Sequence, residues 1–144
     1  MERRFFTALF VVTFVMAFLT GSVNVAAGQA PKEIKIGASL AITGRFSVEW
    51  GPPALRYMQA MESIINERGG IYVKGYNSRL PIKLIIYDDG SSPDRSVELY
   101  EKLATVDKVD FFLGPASSPI LIKASTVAEK YGIPMIGQEA NSPY

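Results

Sequence analysis

The 144-residue sequence contains no cysteine and no histidine. Without cysteine there is no disulfide framework, no thiol nucleophile and no thiolate metal site. Without histidine the chain cannot build a Ser-His-Asp or Cys-His device, and zinc loses its commonest nitrogen ligand. Tryptophan occurs once. An excess of either charge is also lacking: 15 lysines and arginines face 14 aspartates and glutamates. With residues 1–27 set aside, 13 basic and 13 acidic residues remain. A balanced body with no basic stripe argues against a nucleic-acid partner. There is no internal repeat and no low-complexity segment. No motif calls for a cofactor or a metal, and none is expected.

Long hydrophobic runs are scarce after the start of the chain. Met1-Glu-Arg-Arg4 is a short basic opening. Residues 5–19 are apolar apart from Thr7 and Thr13, and small or polar residues follow up to Ala27. These are the three parts of a secretory signal peptide. Val25 and Ala27 suit the positions before a cut, so cleavage is expected after Ala27, leaving 28–144 as the mature body. The run is short for a span, which needs about 20 apolar residues; an uncleaved anchor is the alternative. The expected location is periplasmic or extracellular.

The body alternates between two kinds of segment. Ile34-Lys-Ile-Gly-Ala-Ser-Leu-Ala-Ile42 reads as a strand buried on both faces. A loop reaches Pro52, and a helix follows with Ala54, Met58, Met61 and Ile65 on one face, widened by Tyr57 and Ile64. Gly69-Gly70 should end it. Ile71 to Arg79 is a polar excursion. Leu80 to Tyr87 is the second strand, and Asp88-Asp-Gly-Ser-Ser92 the turn behind it. Ser92-Pro93 opens a helix that presents Val97, Tyr100, Leu103 and Ala104, with Glu98 and Lys102 spaced to pair outside. Val109 to Leu113 is the third strand. A helix from Ser118 to Tyr131 buries Leu121, Ala124, Val127, Ala128 and Tyr131, and Gly132 to Gly137 is the fourth strand. The order β-α-β-α-β-α-β predicts an α/β fold, a parallel doubly wound sheet with helices on both faces. Ligands of such sheets bind beyond the carboxyl ends of the strands.

The stretch Phe111-Phe-Leu-Gly-Pro-Ala-Ser-Ser-Pro119 ends a strand there. Ser118 stands where an N-cap belongs, with Pro119 as first helical residue. A serine hydroxyl beside the free amides of Ile120 and Leu121 suits a small carboxylate. The same pair can equally be a plain cap, worth about 1 kcal/mol. Asp88 and Asp89 are read as shaping their turn.

Several spaced motifs now coincide: Ile36-Gly-Ala-Ser-Leu-Ala-Ile-Thr-Gly44 with Trp50-Gly51, Ile65-Asn-Glu-Arg-Gly-Gly-Ile71, Tyr87-Asp-Asp89 with Ser92-Pro93, Phe112-Leu-Gly-Pro115 with Ser117-Ser118, and Tyr131-Gly-Ile-Pro134. Together they resemble the first lobe of a type I periplasmic binding protein, closest to the leucine/isoleucine/valine-binding group that serves ABC importers. The resemblance implies two lobes closing on an amino acid or related small molecule, with the importer's membrane subunits as partners and no catalysis. It implies that Ser118, with Ser117 beside it, receives the ligand carboxylate. Ala140 and Asn141 match the segment that receives the ammonium group, and Trp50 an aromatic wall of the side-chain pocket. Asn141 stands where threonine is common and Glu139 where a small residue is common, which leaves the ligand open.

On the residues alone, Trp50 can pack a loop on a helix, and Glu139, Ala140 and Asn141 can be loop residues. A ligand-sensing receptor ectodomain shares the fold, and a phospho-acceptor domain would use Asp88 or Asp89. The family's chains are more than twice as long, so the sequence is expected to be a fragment: the N-terminal part of lobe 1, with an open sheet edge and uncovered apolar surface.

Overall fold

The computed structural model describes residues 30–138. The expected signal peptide, 1–27, lies outside the described residues. Strands β1 (Ile34–Leu40), β4 (Ile82–Asp88), β5 (Phe111–Leu113) and β6 (Met135–Ile136) form one sheet in the order β4-β1-β5-β6. All its pairings are parallel, and β1 is central, in register from Ile34↔Ile82 to Leu40↔Asp88. The expected α/β architecture is therefore present. The chain winds outward from β1 to β4, returns to β5 on the other side and continues to β6, so the winding reverses beside β1.

Helix α1 (Ser47–Trp50) is a single turn, and α2 (Pro52–Glu67) runs behind it. The helices α3 (Pro93–Lys102) and α4 (Ser118–Tyr131) pack against each other on the opposite face of the sheet. Between them and the sheet lies the core: Tyr100, Leu103, Val109, Phe112, Ala124, Val127 and Ala128. Tyr100 meets Phe112 edge to face, centroids 5.0 Å apart; such pairs are worth about 0.5–1.5 kcal/mol beyond their buried area. A π-helical turn, Leu103–Asp107, prolongs α3 and closes at Lys108, whose φ of 54° is left-handed.

Local signals placed most boundaries. Ser92 caps α3, its hydroxyl accepting from the Arg95 amide at 3.3 Å. Gly132 ends α4 at φ 64°, a conformation glycine adopts without strain. Other expectations are corrected. β1 stops at Leu40, β5 starts at Phe111, and β6 is two residues long. The polar excursion is a hairpin, β2 (Ile71–Val73) and β3 (Ser78–Leu80), turned through Lys74–Tyr76 and a left-handed Asn77. Pro81, which lacks an amide donor, separates β3 from β4. Glu98 and Lys102 do not pair; Lys102 lies over the Tyr87 ring, and Glu101 bridges to Lys130 on α4. Ile120 takes the buried place on α4 expected for Tyr131, whose hydroxyl instead reaches Glu101.

The two faces of the sheet are covered unequally. α2 packs on β4 and buries Met58, but Tyr57, Met61 and Ile64 on the same helix stay exposed, as do Phe111 and Ile136 on other strands of the sheet. This is the uncovered apolar surface the sequence foreshadows. The β4 edge, by contrast, is protected. Asn66 on α2 donates to the Ile82 carbonyl at 2.9 Å and accepts from the Ile82 amide at 2.8 Å. Glu62 accepts from the Leu84 amide at 2.8 Å. Side chains of α2 thus occupy edge groups that would otherwise invite another strand.

Asn66→Ala should lower stability by about 1–3 kcal/mol, the cost of leaving buried polar groups unmet, read from the urea midpoint of the chain. Ile136→Lys, at a position 67% exposed, should stay within about 0.5 kcal/mol of the parent in the same assay.

Candidate functional site

The carboxyl ends of β1 and β5 flank the point where the winding reverses, where a ligand crevice is expected. Two turns build it. The first leaves β1 and is tied down by the turn behind β4. Asp88 accepts from the Thr43 amide at 3.0 Å, the Thr43 hydroxyl at 2.7 Å and the Gly90 amide at 2.9 Å. The Ser91 hydroxyl donates to the Thr43 carbonyl and accepts from the Phe46 amide. Gly44 sits at φ 89°, and a β-carbon there would fall 2.3 Å from the Gly90 carbonyl oxygen, so only glycine permits this approach. The clamped loop delivers α1 and Trp50. Burial works to raise the Asp88 carboxyl; its bonds from Thr43 and Gly90 and the charge of Arg95 outweigh that and hold it below the ordinary 3.8.

The second turn leaves β5 through the buried residues Gly114, Pro115 and Ala116 and enters α4. Here the expected register shifts by one. Ser117, at φ 87° and ψ 127°, is the N-cap residue, Ser118 is the first helical residue and Pro119 the second. The Leu121 amide, expected to be free, donates to the Ser117 carbonyl at 3.0 Å. The first-turn amides left without a helical partner by position are those of Ser118 and Ile120. The Ser117 hydroxyl does not cap the helix; it is buried and has no hydrogen-bond partner among the described residues.

Between the turns lies a cleft of about 280 Å³ lined by Arg45, Phe46, Glu49, Trp50, Ser117, Ser118 and Pro119. The structure thus brings together Trp50, Ser117 and Ser118. Glu139, Ala140 and Asn141 fall outside the described residues. Arg45, Phe46 and Glu49 were not anticipated, because residues 43–52 read as plain loop; the Arg45 guanidinium sits 4.3 Å from the Phe46 ring centre. A larger hollow of about 560 Å³ lies at the amino ends of the strands, lined by Ile34, Phe111 and Pro134 among others. It has few polar groups and is at the wrong end of the sheet for the crevice.

Asp89 follows β4 and is fully buried, which closes it to a phosphoryl donor, while Asp88 is engaged by the Thr43 and Gly90 donors. Among the described residues no group of three or more acidic side chains could hold a metal ion. The cleft offers hydroxyls, first-turn helix amides, aromatic rings and the charged side chains of Arg45 and Glu49, a set able to hold a small polar molecule.

Known proteins share this fold. A family described as periplasmic binding protein matches residues 33–144. The substrate-binding protein of a branched-chain amino acid transporter from Streptococcus pneumoniae, solved with isoleucine, superposes with a TM-score of 0.69 at 28% identity. That match covers 78% of this chain and 30% of the other. A solute-binding protein of an ABC transporter from Rhodopseudomonas palustris, solved with 3,4-dihydroxybenzoic acid, gives 0.61 at 24% identity over 76% and 28%. A leucine-binding protein from Thermotoga maritima gives 0.60 at 19% identity over 76% and 29%; the last two matches speak to fold alone. The chain thus spans about 30% of the length of the first of these solved relatives. The family match spans most of the sequence and the fold superposes on a solved substrate-binding protein: the chain belongs to the periplasmic binding protein family.

Proposed function

We propose that this chain supplies one wall of a solute-binding cleft, taking the carboxylate of an amino acid or similar small acid at the start of α4. The observation that carries the reading is the buried, unpartnered Ser117 hydroxyl beside Ser118, in a cleft walled by Trp50. A buried hydroxyl without a partner is costly, and a bound acceptor would relieve that cost. The free first-turn amides and the helix dipole favour a negative group at the same point. The relative solved with isoleucine supports an amino acid. In this reading the protein works outside the cytoplasm after removal of residues 1–27, and 28–144 form the N-terminal part of the first of two lobes. Ligand would shift an open–closed equilibrium of those lobes, and the closed form would deliver its solute to the membrane subunits of an ABC importer. Glu139, Ala140 and Asn141 remain the proposed contacts for the ligand's other end.

The test is titration calorimetry of the protein at its full encoded length, with L-isoleucine and with 3,4-dihydroxybenzoate. One of the two should bind, and Ser118→Ala should weaken it by about 1–3 kcal/mol, roughly five- to 150-fold. Unchanged affinity in Ser118→Ala would return that residue to a purely structural place in the helix.

A further inference from the structure

Behind the cleft, and lining no part of it, is a buried polar cluster. Asp89 is fully inaccessible, as are Ser39 on β1 and Ser96 and Tyr100 on α3. One carboxylate oxygen of Asp89 accepts from the Ser39 hydroxyl at 3.0 Å, the other from the Ser91 amide at 2.8 Å. The Ser39 hydroxyl also meets that of Ser96 at 2.8 Å. The Ser39 amide donates to the Tyr100 hydroxyl at 3.3 Å, and Tyr100 donates to the Leu113 carbonyl at 2.5 Å. No cation bonds the carboxylate among the described residues. A buried carboxylate held only by neutral donors weakens the fold relative to an apolar filling of the same shape. Its place in the cluster is what gives it a use. Leu113 is the last residue of β5, and only the buried 114–116 turn separates it from Ser117 and Ser118.

We propose that Asp89 is a positioning residue for the cleft: through Ser39 and Tyr100 it fixes the Leu113 carbonyl, and with it the turn that places Ser117 and Ser118. Its backbone adds a second tie, its amide donating to the Leu40 carbonyl at 3.0 Å and its carbonyl accepting from the Ser92 amide at 3.0 Å. The cluster therefore joins the ends of β1, β4 and β5 to the start of α3, and a change at Asp89 reaches the cleft without touching a ligand.

The relay is sensitive to protonation. With Asp89 ionised, the protons run from Ser96 to Ser39 to the carboxylate. A protonated Asp89 donates to Ser39, whose own proton must turn to Ser96. Burial raises the Asp89 carboxyl above 3.8, against the lowering by the Ser91 amide and Ser39 hydroxyl; Asp88 adds to the rise and Arg95 opposes it. The ionisable groups facing it are thus Asp88 from β4, and Arg95 and Tyr100 from α3, while β1 presents only Ser39. Because the folded value is raised, the folded chain takes up this proton before the unfolded chain does. The contribution of Asp89 to stability rises as pH falls through the folded value towards 3.8 and is smallest where the group is charged. Asp88, with its lowered value, acts in the opposite sense: its contribution is present above 3.8 and is lost as pH falls through the folded value.

The test needs no solute, so its failure and that of the solute-binding reading are separable. Trp50 is the single tryptophan and lines the cleft with both serines. Its emission is followed against pH in the full chain carrying Glu49→Gln, which removes the carboxyl next to it. The expected result is an emission step with a midpoint above 3.8, lost in both Asp89→Asn and Tyr100→Phe. If far-ultraviolet circular dichroism shows Asp89→Asn unfolded, Tyr100→Phe, which keeps the ring and the carboxylate, decides alone. Absence of the step in the parent, or its persistence in a folded Asp89→Asn or in Tyr100→Phe, would overturn the proposal. A residue that merely stabilised the fold would move the melting point and leave this step in place.

Discussion

Everything in this fold depends on β1 being bonded on both sides. Its pairing with β4 runs the whole length of Ile34–Leu40, and its pairing with β5 begins at Ile36. From Gly37 onward that strand has little solvent face, so its residues there are apolar or small, and Gly37-Ala-Ser-Leu40 are all buried. The same centrality sends the two neighbouring crossovers to opposite sides. Their turns diverge at the carboxyl end of β1 and leave the cleft between them. The site follows from the topology, and the side chains then determine what it can hold.

Two polar devices keep that cleft in shape, and they differ in energetic character. The Asp88 clamp on Thr43 and Gly90 is a carboxylate near the surface receiving several donors, which favours its charged form. The Asp89 cluster is a carboxylate out of water with two neutral donors and a tyrosine relay beyond them. Adjacent residues of one type thus meet opposite environments. The difference arises because Asp88 ends the strand, facing the first loop, while Asp89 turns inward under α3.

Much of this was legible in the sequence where the signal is local and steric. Ser92-Pro93, Gly69-Gly70 and Gly132 mark ends that only those residues satisfy cheaply, and the alternation of apolar runs gave the parallel sheet. Short elements escaped. β2, β3 and α1 have three or four residues each, fewer than a period needs to declare itself. The register at the start of α4 slipped because Ser117 and Ser118 carry the same chemistry, and the backbone angle of Ser117 alone decides between them. Trp50, Ser117 and Ser118, far apart in sequence, line one cleft. The Asp89 cluster could not be read, since it joins residues 39, 89, 96 and 100 through space. Ser39 within an apolar strand was its only trace.

The central claim is that small acids dock between Trp50 and the start of α4. The most direct measurement is a map of amide and indole chemical shifts in the isotope-labelled protein as L-isoleucine or 3,4-dihydroxybenzoate is added. The account predicts that the largest changes fall on the amides of Ser118 and Ile120 and on the Trp50 indole. Changes concentrated instead around Ile34, Phe111 and Pro134, in the hollow at the other end of the sheet, or no change with either acid, would contradict it.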